Sequence, residues 1–236
     1  MIKGIFLAGR SMDSKFKSIE VIGNNLANVN TNGYKKAMPF TEVINQYTNQ
    51  VAVTQLTNYK QGSFTATGNP LDLSVDGNAF FTVQGPDGMD FTRGGKFSIS
   101  DNGFLINDQG YKVLGSNGPI NLNGYLLDKN QDITISKNGE IKVGGNYVDK
   151  LLMIRPDPAD KFIRKDGTNF SSEDGRYFLA NESDYQVNQG YLEQSNVNPI
   201  EEMTNMIKVH NEYDSASKMV TFLNQSLSEA NEIGKV

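Results

Sequence analysis

The sequence has no cysteine, no tryptophan and a single histidine among its 236 residues. Without cysteine there can be no thiol nucleophile, no disulfide and no metal site with thiolate ligands. The sequence also lacks a P-loop and a GxGxxG pattern, the glycine-rich motifs that hold nucleotide phosphates. No apolar run approaches the roughly 20 residues that a membrane-spanning helix needs. We therefore predict no catalytic, cofactor-binding or metal-ligating residue and no insertion into a membrane.

Basic residues are fewer than acidic ones, 22 against 27, which gives a formal net charge of -5. Nucleic-acid binding depends on clustered Lys and Arg, so nucleic acid is not an expected partner. The nearest basic cluster, Lys35-Lys36, is two residues long, and we interpret it as a solvated turn. The single histidine, His210, has no nucleophile motif around it and is interpreted as a packed or interface residue. Charged residues from Arg10 onward interrupt the N-terminal apolar stretch early, so we expect no cleaved signal peptide.

Apolar residues at both ends of the chain recur with the three-and-four spacing that is typical of helices. Over residues 2–28 this spacing indicates an a/d seam of nearly four heptads. Over residues 199–231 it returns after Pro199, a residue tolerated at the first position of a helix. Each seam fits either a helix packed on its own domain or a helix that pairs in a coiled coil or bundle, and we favour the second for the N-terminal helix. The seam positions are Ile2, Ile5, Gly9, Met12, Phe16, Ile19, Gly23 and Leu26 at the start of the chain and Met203, Met206, His210, Tyr213, Ser217, Val220, Asn224 and Leu227 at its end.

The middle of the chain has the pattern of short strands joined by tight turns. Pairs such as Asp76-Gly77, Asn102-Gly103 and Asn138-Gly139 favour the positive φ angles of hairpin turns. Alternation of apolar and polar residues over 133–136 is typical of a half-buried strand. We predict an α+β fold in which N- and C-terminal helices form a coiled-coil-like core element beside a mainly antiparallel β domain. Its parts are an N-terminal helix (1–30), a polar connector (31–60), a β-rich domain (61–197) and a C-terminal helix (198–236).

Residues 24–35 carry a specific resemblance. The segment Asn24-Asn25-Leu26-Ala27-Asn28, followed by Thr31 and by Gly33-Tyr34-Lys35, resembles the N-terminal signature of the flagellar axial proteins, which are the rod and hook subunits. Residues 67–77 and 91–97 resemble the start of that family's β domain, and residues 190–199 resemble its C-terminal motif. The short chain without a large inserted domain argues against a hook subunit, and the compact middle favours the proximal over the distal rod.

The resemblance implies a structural subunit of the bacterial flagellar basal-body rod. Such subunits are exported through the flagellar type III apparatus without a cleaved signal peptide and polymerise in the periplasm into a torque-transmitting rod. The implied partners are other rod subunits, further copies of this chain and the export apparatus, with the surrounding ring proteins as a further candidate. The resemblance implies neither an enzyme nor a cofactor.

The predicted assembly interface combines the helix seams with the asparagines of the signature, and we predict that Leu26→Asp blocks assembly. Two alternatives from other classes remain: a secreted carbohydrate-binding or carbohydrate-active β-domain protein, and a coiled-coil partner of an export chaperone or regulator. A deep acidic pocket with aromatic walls would favour the first. The predicted interface residues are Ile5, Met12, Phe16, Ile19, Asn24, Asn25, Leu26, Asn28, Met203, Met206, Ile207, His210, Tyr213, Val220 and Leu227.

Overall fold

A computed structural model describes residues 2–42, 52–124, 132–155, 162–165, 167–172 and 176–233. The chain divides into two compact units. Unit 1 comprises residues 1–29, 36–59 and 197–236, and unit 2 comprises residues 30–35 and 60–196. The two ends of the chain therefore belong to one unit, while the β-rich middle and the short segment 30–35 belong to the other.

Unit 1 consists of two long helices and a hairpin. The helices are antiparallel, because Gly23 lies near Met206 at one end of the pair and Gly4 lies near Leu223 at the other. The hairpin strands pair with Ala37 opposite Thr57. The elements are α1 (Ile2–Ala27), β1 (Ala37–Glu42), β2 (Ala52–Thr57) and α2 (Pro199–Ile233).

The start of α2 shows why the sequence forms a helix there. The side-chain oxygen of Asn198 accepts hydrogen bonds from the backbone N–H groups of Ile200 (3.1 Å) and Glu201 (3.3 Å), so Asn198 is the N-cap. Pro199 follows at the first helical position, where its missing N–H costs nothing. Glu201 and Glu202 occupy the first turn, where the helix dipole favours negative charge.

Unit 2 is formed by short antiparallel strands. The strands are β3 (Phe64–Ala66), β4 (Leu73–Gly77), β5 (Phe80–Gly85), β6 (Gly88–Thr92), β7 (Phe97–Ile99), β8 (Leu105–Asn107), β9 (Lys112–Gly115), β10 (Gly118–Pro119), β11 (Ile133–Ile135), β12 (Glu140–Val143), β13 (Asn146–Lys150), β14 (Met153–Arg155), β15 (Phe162–Arg164), β16 (Asn169–Ser172), β17 (Phe178–Leu179), β18 (Tyr185–Gln189) and β19 (Tyr191–Glu193). The central sheet has the order β15-β16-β6-β5-β9-β8-β7, with β10 beside β9 and with β14 between β5 and β17. Three strands, β11 to β13, form a second sheet, and the pairs β3–β19 and β4–β18 join the beginning of the middle segment to its end.

Strand β5 separates two apolar clusters, because consecutive side chains on a strand point to opposite faces. Phe81 contacts Phe97 edge to face, with ring centroids 5.2 Å apart, inside the main core. Phe80 instead contacts Phe162 and Phe170, with centroids 5.9 and 6.0 Å apart. Burial of such aromatic rings supplies much of the stabilisation of a sheet of this kind.

The α+β class and the mainly antiparallel β domain are confirmed. The predicted turn glycines Gly77, Gly103 and Gly139 have φ angles of 108°, 78° and 84°. The segment 31–60, predicted as a polar connector, includes both strands of the β1–β2 hairpin. No helix in the described part of the chain is long and apolar enough to cross a membrane.

Candidate assembly surface

The signature asparagine Asn25 is fully buried in unit 1 and binds the start of strand β1. Its Oδ1 accepts a hydrogen bond from the backbone N–H of Ala37 (2.9 Å), and its Nδ2 donates to the carbonyl oxygen of Ala37 (2.7 Å). A side-chain amide can make this double contact because its NH2 group donates while its oxygen accepts, as the N–H and C=O groups of a neighbouring strand would. Asn25 therefore fixes the position of the hairpin on α1.

Glu202 connects the same site to α2. Nδ2 of Asn25 donates a second hydrogen bond to Oε2 of Glu202 (3.0 Å), and Oε1 of Glu202 lies 2.7 Å from Nζ of Lys36. Glu202 is buried, so its charge requires these partners. Lys36 also lies 2.9 Å from Glu201, on the more exposed side. We call Asn25, Lys36 and Glu202, together with the backbone of Ala37, the terminal clasp.

The ionisation of Lys36 follows from these contacts. Partial burial lowers the pKa of Lys36, but its hydrogen bonds to Glu202 and Glu201 outweigh that effect, so the pKa lies above its ordinary value. Lys36 is therefore a cation at any physiological pH and neutralises the buried carboxylate of Glu202.

A second buried charge network lies in unit 2 and contains the last residue of the signature, Lys35. Nζ of Lys35 lies 2.6 Å from Oε1 of Glu193 and donates a hydrogen bond to the carbonyl oxygen of Lys60 (2.9 Å). Nη1 of Arg93 lies 3.3 Å from the other carboxylate oxygen of Glu193 and donates to the carbonyl of Val75 (2.9 Å). Lys35, Arg93 and Glu193, which we call the buried triad, are all fully or almost fully buried.

The buried triad holds two cations and one carboxylate. Burial lowers the pKa of Lys35, which the nearby carboxylate of Glu193 only partly offsets, and burial also lowers the pKa of Arg93. Arg93 gains further contacts from the ring of Phe80, 4.8 Å from its guanidinium carbon, and from the carbonyl of Gly77. The carboxylate of Glu193 contacts both cations, and the charge of the exposed Asp76 adds a smaller attraction to Arg93.

The other signature residues of unit 2 anchor the chain beside this triad. Gly33 has a φ of +72°, and a Cβ there would lie 2.3 Å from the carbonyl carbon of Arg93, so only glycine fits. Its N–H donates to the carbonyl of Glu193 (2.7 Å). The ring of Tyr34 is buried, and the guanidinium of Arg164 lies over it at 4.3 Å. The Gly-Tyr-Lys of the signature is thus an internal anchor of unit 2.

The interpretation of Lys35-Lys36 as a solvated turn was wrong. The Lys35 side chain is 1% exposed and that of Lys36 is 16% exposed. Sequence reasoning missed this because the partners, Glu193 and Glu202, lie more than 150 residues away in the chain. Without a nearby acidic residue, a lysine pair is expected to be solvated. The position of Lys35 at the end of the signature was the available signal.

The outer faces of both helices are apolar at several positions. The side chains of Phe6, Leu7 and Phe16 on α1 and of Ile200, Met203, Ile207, Met219 and Phe222 on α2 are each 51–76% exposed. Among the large apolar residues described in unit 2, Leu179 alone falls in this range, and Tyr147 follows at 50%. A soluble protein rarely leaves so many large apolar side chains open to water on two elements unless something covers them.

The predicted seams divide between two faces of each helix. Some seam residues are half-buried, among them Met206, which lies near Gly23 of α1, and others are exposed. Asn24 is exposed, while Asn28 is half-buried and donates to the carbonyl of Asn24 (2.8 Å). The half-buried seam residues are Ile5, Met12, Ile19, Leu26, Met206, Tyr213, Val220 and Leu227, and the exposed ones are Phe16, Met203, Ile207 and His210.

Asn25 differs from the other predicted interface residues. Its amide makes three hydrogen bonds inside the chain, so contacts between subunits from the signature would have to come from Asn24 and Asn28. The inter-subunit role of these two, and of the exposed seam residues, stays a prediction.

The side chain of His210 is 63% exposed and lies 3.8 Å from Asp214 one turn along α2, so it is not packed in a core. Within the described residues no group of three or more His, Asp or Glu side chains could hold a metal ion. A cleft of about 290 Å³ beside the signature loop has Asp108 as the one carboxylate and no aromatic ring among its described lining residues. It does not have the acidic, aromatic-walled form that the carbohydrate alternative requires.

Three family profiles match parts of the chain. Residues 17–35 match "Flagella basal body rod protein", residues 74–143 match "Flagellar hook protein FlgE/F/G D1 domain", and residues 188–233 match "Flagellar basal body rod FlgEFG protein C-terminal". The matched ranges include Lys35, Arg93 and Glu193 of the buried triad and Asn25 and Glu202 of the terminal clasp.

Several relatives are similar along nearly their whole length. The "Flagellar basal-body rod protein FlgF" of Caulobacter vibrioides is 30% identical over 234 residues, which cover 93% of this chain and 93% of that protein. The protein of the same description from Mesorhizobium japonicum is 29% identical, with 91% and 90% covered. The "Flagellar basal-body rod protein FlgG" of Bacillus subtilis is 28% identical, with 97% and 98% covered. None of these similarities supports the carbohydrate-binding alternative.

Proposed function

Because this chain belongs to the family of flagellar basal-body rod proteins, we propose that the exposed apolar faces of its two terminal helices are the surfaces through which it polymerises. As a member of that family it is a structural subunit of the rod in the flagellar basal body and not an enzyme. What the family membership leaves open is which surface of the subunit binds its neighbours.

The observation that supports the proposal is the concentration of exposed apolar side chains on α1 and α2. Burying a fully exposed side chain of this size contributes about 1.5–3 kcal/mol, and because these side chains are 51–76% exposed, each contributes the corresponding share of that free energy. A contact that covers three or four of them can therefore offset much of the entropic cost of ordering a subunit, about 4–15 kcal/mol. Covering the helix faces therefore contributes favourably to the binding of a neighbouring subunit.

On α2 the exposed apolar residues form two patches. Ile200, Met203 and Ile207 lie on the outer side of the first turns, and Met219 and Phe222 follow further along. Polar and charged residues occupy the outer side between the two patches. We call the first patch the α2 patch. An α1 face of one copy against the α2 patch of the next is a heterologous contact, and such contacts generate helical polymers when the rotation does not close.

The helices thus have two roles in this proposal. Their half-buried seam residues hold α1 against α2 within one chain, and their outer residues bind the next subunits to form a coiled-coil-like core. Export through the type III apparatus without a cleaved signal, a periplasmic location and contact with the surrounding rings belong to the same proposal, and their support is the family resemblance.

The test compares two single substitutions in a strain that lacks the chromosomal copy. Ile207→Asp places a charge in the α2 patch, while Asn211→Asp places the same side chain one turn further on the same outer side, at a position that is already polar. Basal bodies are purified and their rods and hooks counted by electron microscopy. We expect truncated rods without hooks for Ile207→Asp and complete rods for Asn211→Asp.

Two outcomes would count against the proposal. Complete rods and hooks in the Ile207→Asp strain would mean that the α2 patch does not bind a neighbour. Complete rods and hooks in the deletion strain itself would remove the rod role. The point at which the rod ends in the deletion strain also distinguishes the proximal segment, which the short chain favours, from the distal one.

A further inference from the structure

We propose that the outer face of α2 is an oxidation-sensitive site, at which peroxide converts Met203 and Met219 to sulfoxides and thereby makes an unassembled subunit unable to join the rod. The inference rests on the proposed function, since it concerns the same helix face. It adds a chemical modification and the class of reagent that causes it.

The first support is the distribution of methionine exposure. Met203 and Met219 are 51% and 56% exposed, whereas Met153 in the β core is 3% exposed. Met206 is half-buried, on the side of α2 that lies near Gly23 of α1. Met89 and Met38 are 39% and 37% exposed. The two most exposed described methionines therefore both belong to α2, with Met203 in the α2 patch and Met219 more than four turns further along.

The second support is the absence of competing side chains. The chain has no cysteine and no tryptophan, so no thiol or indole can consume an oxidant first. The thioether sulfur of exposed methionine is then the principal target of a peroxide. In the reaction the sulfur loses two electrons and gains one oxygen atom, the O–O bond of the peroxide breaks, and hydrogen peroxide is reduced to water.

The consequence follows from the position of Met203. It lies between Ile200 and Ile207, which are 76% and 64% exposed, so its sulfur belongs to the α2 patch. A sulfoxide is polar, and its oxygen would be buried without a hydrogen-bond donor in an apolar contact. Burying an unpaired polar group lowers an association constant by roughly 5- to 150-fold. Assembled subunits would be protected, because their sulfur atoms are covered.

The first experiment measures where oxidation occurs. Purified full-length chain and purified basal bodies are exposed to the same hydrogen peroxide concentration, and sulfoxide at each methionine is measured by peptide mass spectrometry. We expect Met203 and Met219 to oxidise several-fold faster than Met153 in the free chain and to be protected in basal bodies. Equal rates for Met203 and Met153 in the free chain, or no protection in basal bodies, would overturn the inference.

The second experiment separates the inference from the proposed function. Met203→Leu and Met219→Leu together keep the face apolar and remove both sulfur atoms, and Met203→Gln imitates the polarity of the sulfoxide. Hook formation after peroxide is divided by that of the same strain without peroxide, so that any effect of the leucines on assembly itself cancels. We expect this ratio to fall several-fold in the parent and to stay near one in the double leucine variant, and we expect Met203→Gln to lower hook formation without peroxide. Treatment of oxidised subunits with methionine sulfoxide reductases should restore the unmodified masses.

The outcomes distinguish the two ideas. If Ile207→Asp prevents rod assembly but Met203→Gln assembles normally, or if the double leucine variant is as sensitive to peroxide as the parent, the oxidation site is refuted and the assembly face stands. If Ile207→Asp also assembles normally, the assembly face itself fails.

Discussion

The substitution Glu193→Gln is expected to destabilise unit 2 more than any other single change in its polar interior. The carboxylate of Glu193 accepts contacts from Lys35 at 2.6 Å, from the N–H of Gly62 at 2.9 Å and from Arg93 at 3.3 Å. Gln has nearly the same size as Glu, so the change leaves no cavity. What it removes is the one buried carboxylate charge that contacts both buried cations.

The expected magnitude follows from that charge balance. With Glu193 the buried triad has a net charge of +1, and with Gln it has +2. Breaking a buried ion pair by removing one partner costs about 3–5 kcal/mol, because an uncompensated charge remains. Lys35→Met instead leaves Arg93 and Glu193 as a balanced pair, so its cost should stay near the 1–3 kcal/mol of a lost charged hydrogen bond.

The assay is thermal unfolding of the purified full-length chain, followed by far-UV circular dichroism at a wavelength dominated by β structure. For a chain of this size, each kcal/mol of lost unfolding free energy lowers the thermal midpoint by about 2–4 °C. The loss expected for Glu193→Gln should therefore lower the midpoint by roughly 6–20 °C. The matched control is Glu201→Gln, because Glu201 is exposed and has one contact, at 2.9 Å to Lys36. We expect a change of about 0–1 kcal/mol there.

Two results would refute this reasoning. A midpoint for Glu193→Gln within 2 °C of the control, roughly the effect of a single kcal/mol, would mean that the carboxylate does not compensate the two cations. A Lys35→Met variant as unstable as Glu193→Gln would mean that the number of buried charges, and not their balance, determines the stability of unit 2.

Three further predictions concern the signature residues. Asn25→Ala leaves the buried N–H and C=O of Ala37 without the side-chain partner and should cost about 1–3 kcal/mol for each group orphaned; faster amide hydrogen exchange in the hairpin would check it, and unchanged exchange would refute it. Gly33→Ala should destabilise unit 2 by more than the about 1–2 kcal/mol of a left-handed backbone, because the methyl group would overlap the backbone of Arg93; a thermal midpoint equal to that of the parent would contradict this. The third is a pH dependence: burial lowers the pKa of Lys35, so the unfolded chain binds more protons there and stability should rise as the pH increases through the folded pKa towards the unfolded one. The pKa of Lys36 is raised, so the stability that its ion pairs contribute should be lost at still higher pH. Lys35→Met should abolish the rise in stability at alkaline pH. Urea midpoints measured against pH for the parent and the variant check this, and an equal rise in both would contradict it.

Local patterns in the sequence predict the elements well. The seam spacing placed the helices at 2–28 and 199–231, and the structure has them at Ile2–Ala27 and Pro199–Ile233. Heptad spacing and capping residues are local signals, and they operate here without help from distant residues. The Asx-Gly turns were predictable for the same reason, because their positive φ angles are a property of two adjacent residues.

What local patterns could not reveal is which face of a helix is covered. The a/d spacing of α2 includes both Met206, which packs near α1, and Met203, which points outward. A heptad seam is wide enough to touch two neighbours, and the sequence does not say which side meets which neighbour. Only the antiparallel packing of α1 and α2 shows which face of α2 is covered and which face stays exposed.

The charge networks were equally hidden, because their partners are distant in the chain. Two adjacent lysines, Lys35 and Lys36, pair with Glu193 and Glu202, one pair in unit 2 and the other in unit 1. Burial of a lysine is uncommon, so composition argued for a solvated pair. The resemblance to the axial-protein signature marked Lys35, but it did not say that the partner of this lysine lies within the same chain.

The most direct test of the assembly face uses the absence of cysteine. Ile207→Cys creates the only thiol in the chain, and a photoactivatable crosslinker attached to it reports what lies within a few ångströms of the α2 patch. The labelled subunit is incorporated into rods, basal bodies are purified and irradiated, and the products are separated by mass. We expect covalent adducts between this chain and another rod subunit or a second copy. Uncrosslinked chain alone, in rods that contain the labelled subunit, would contradict the account.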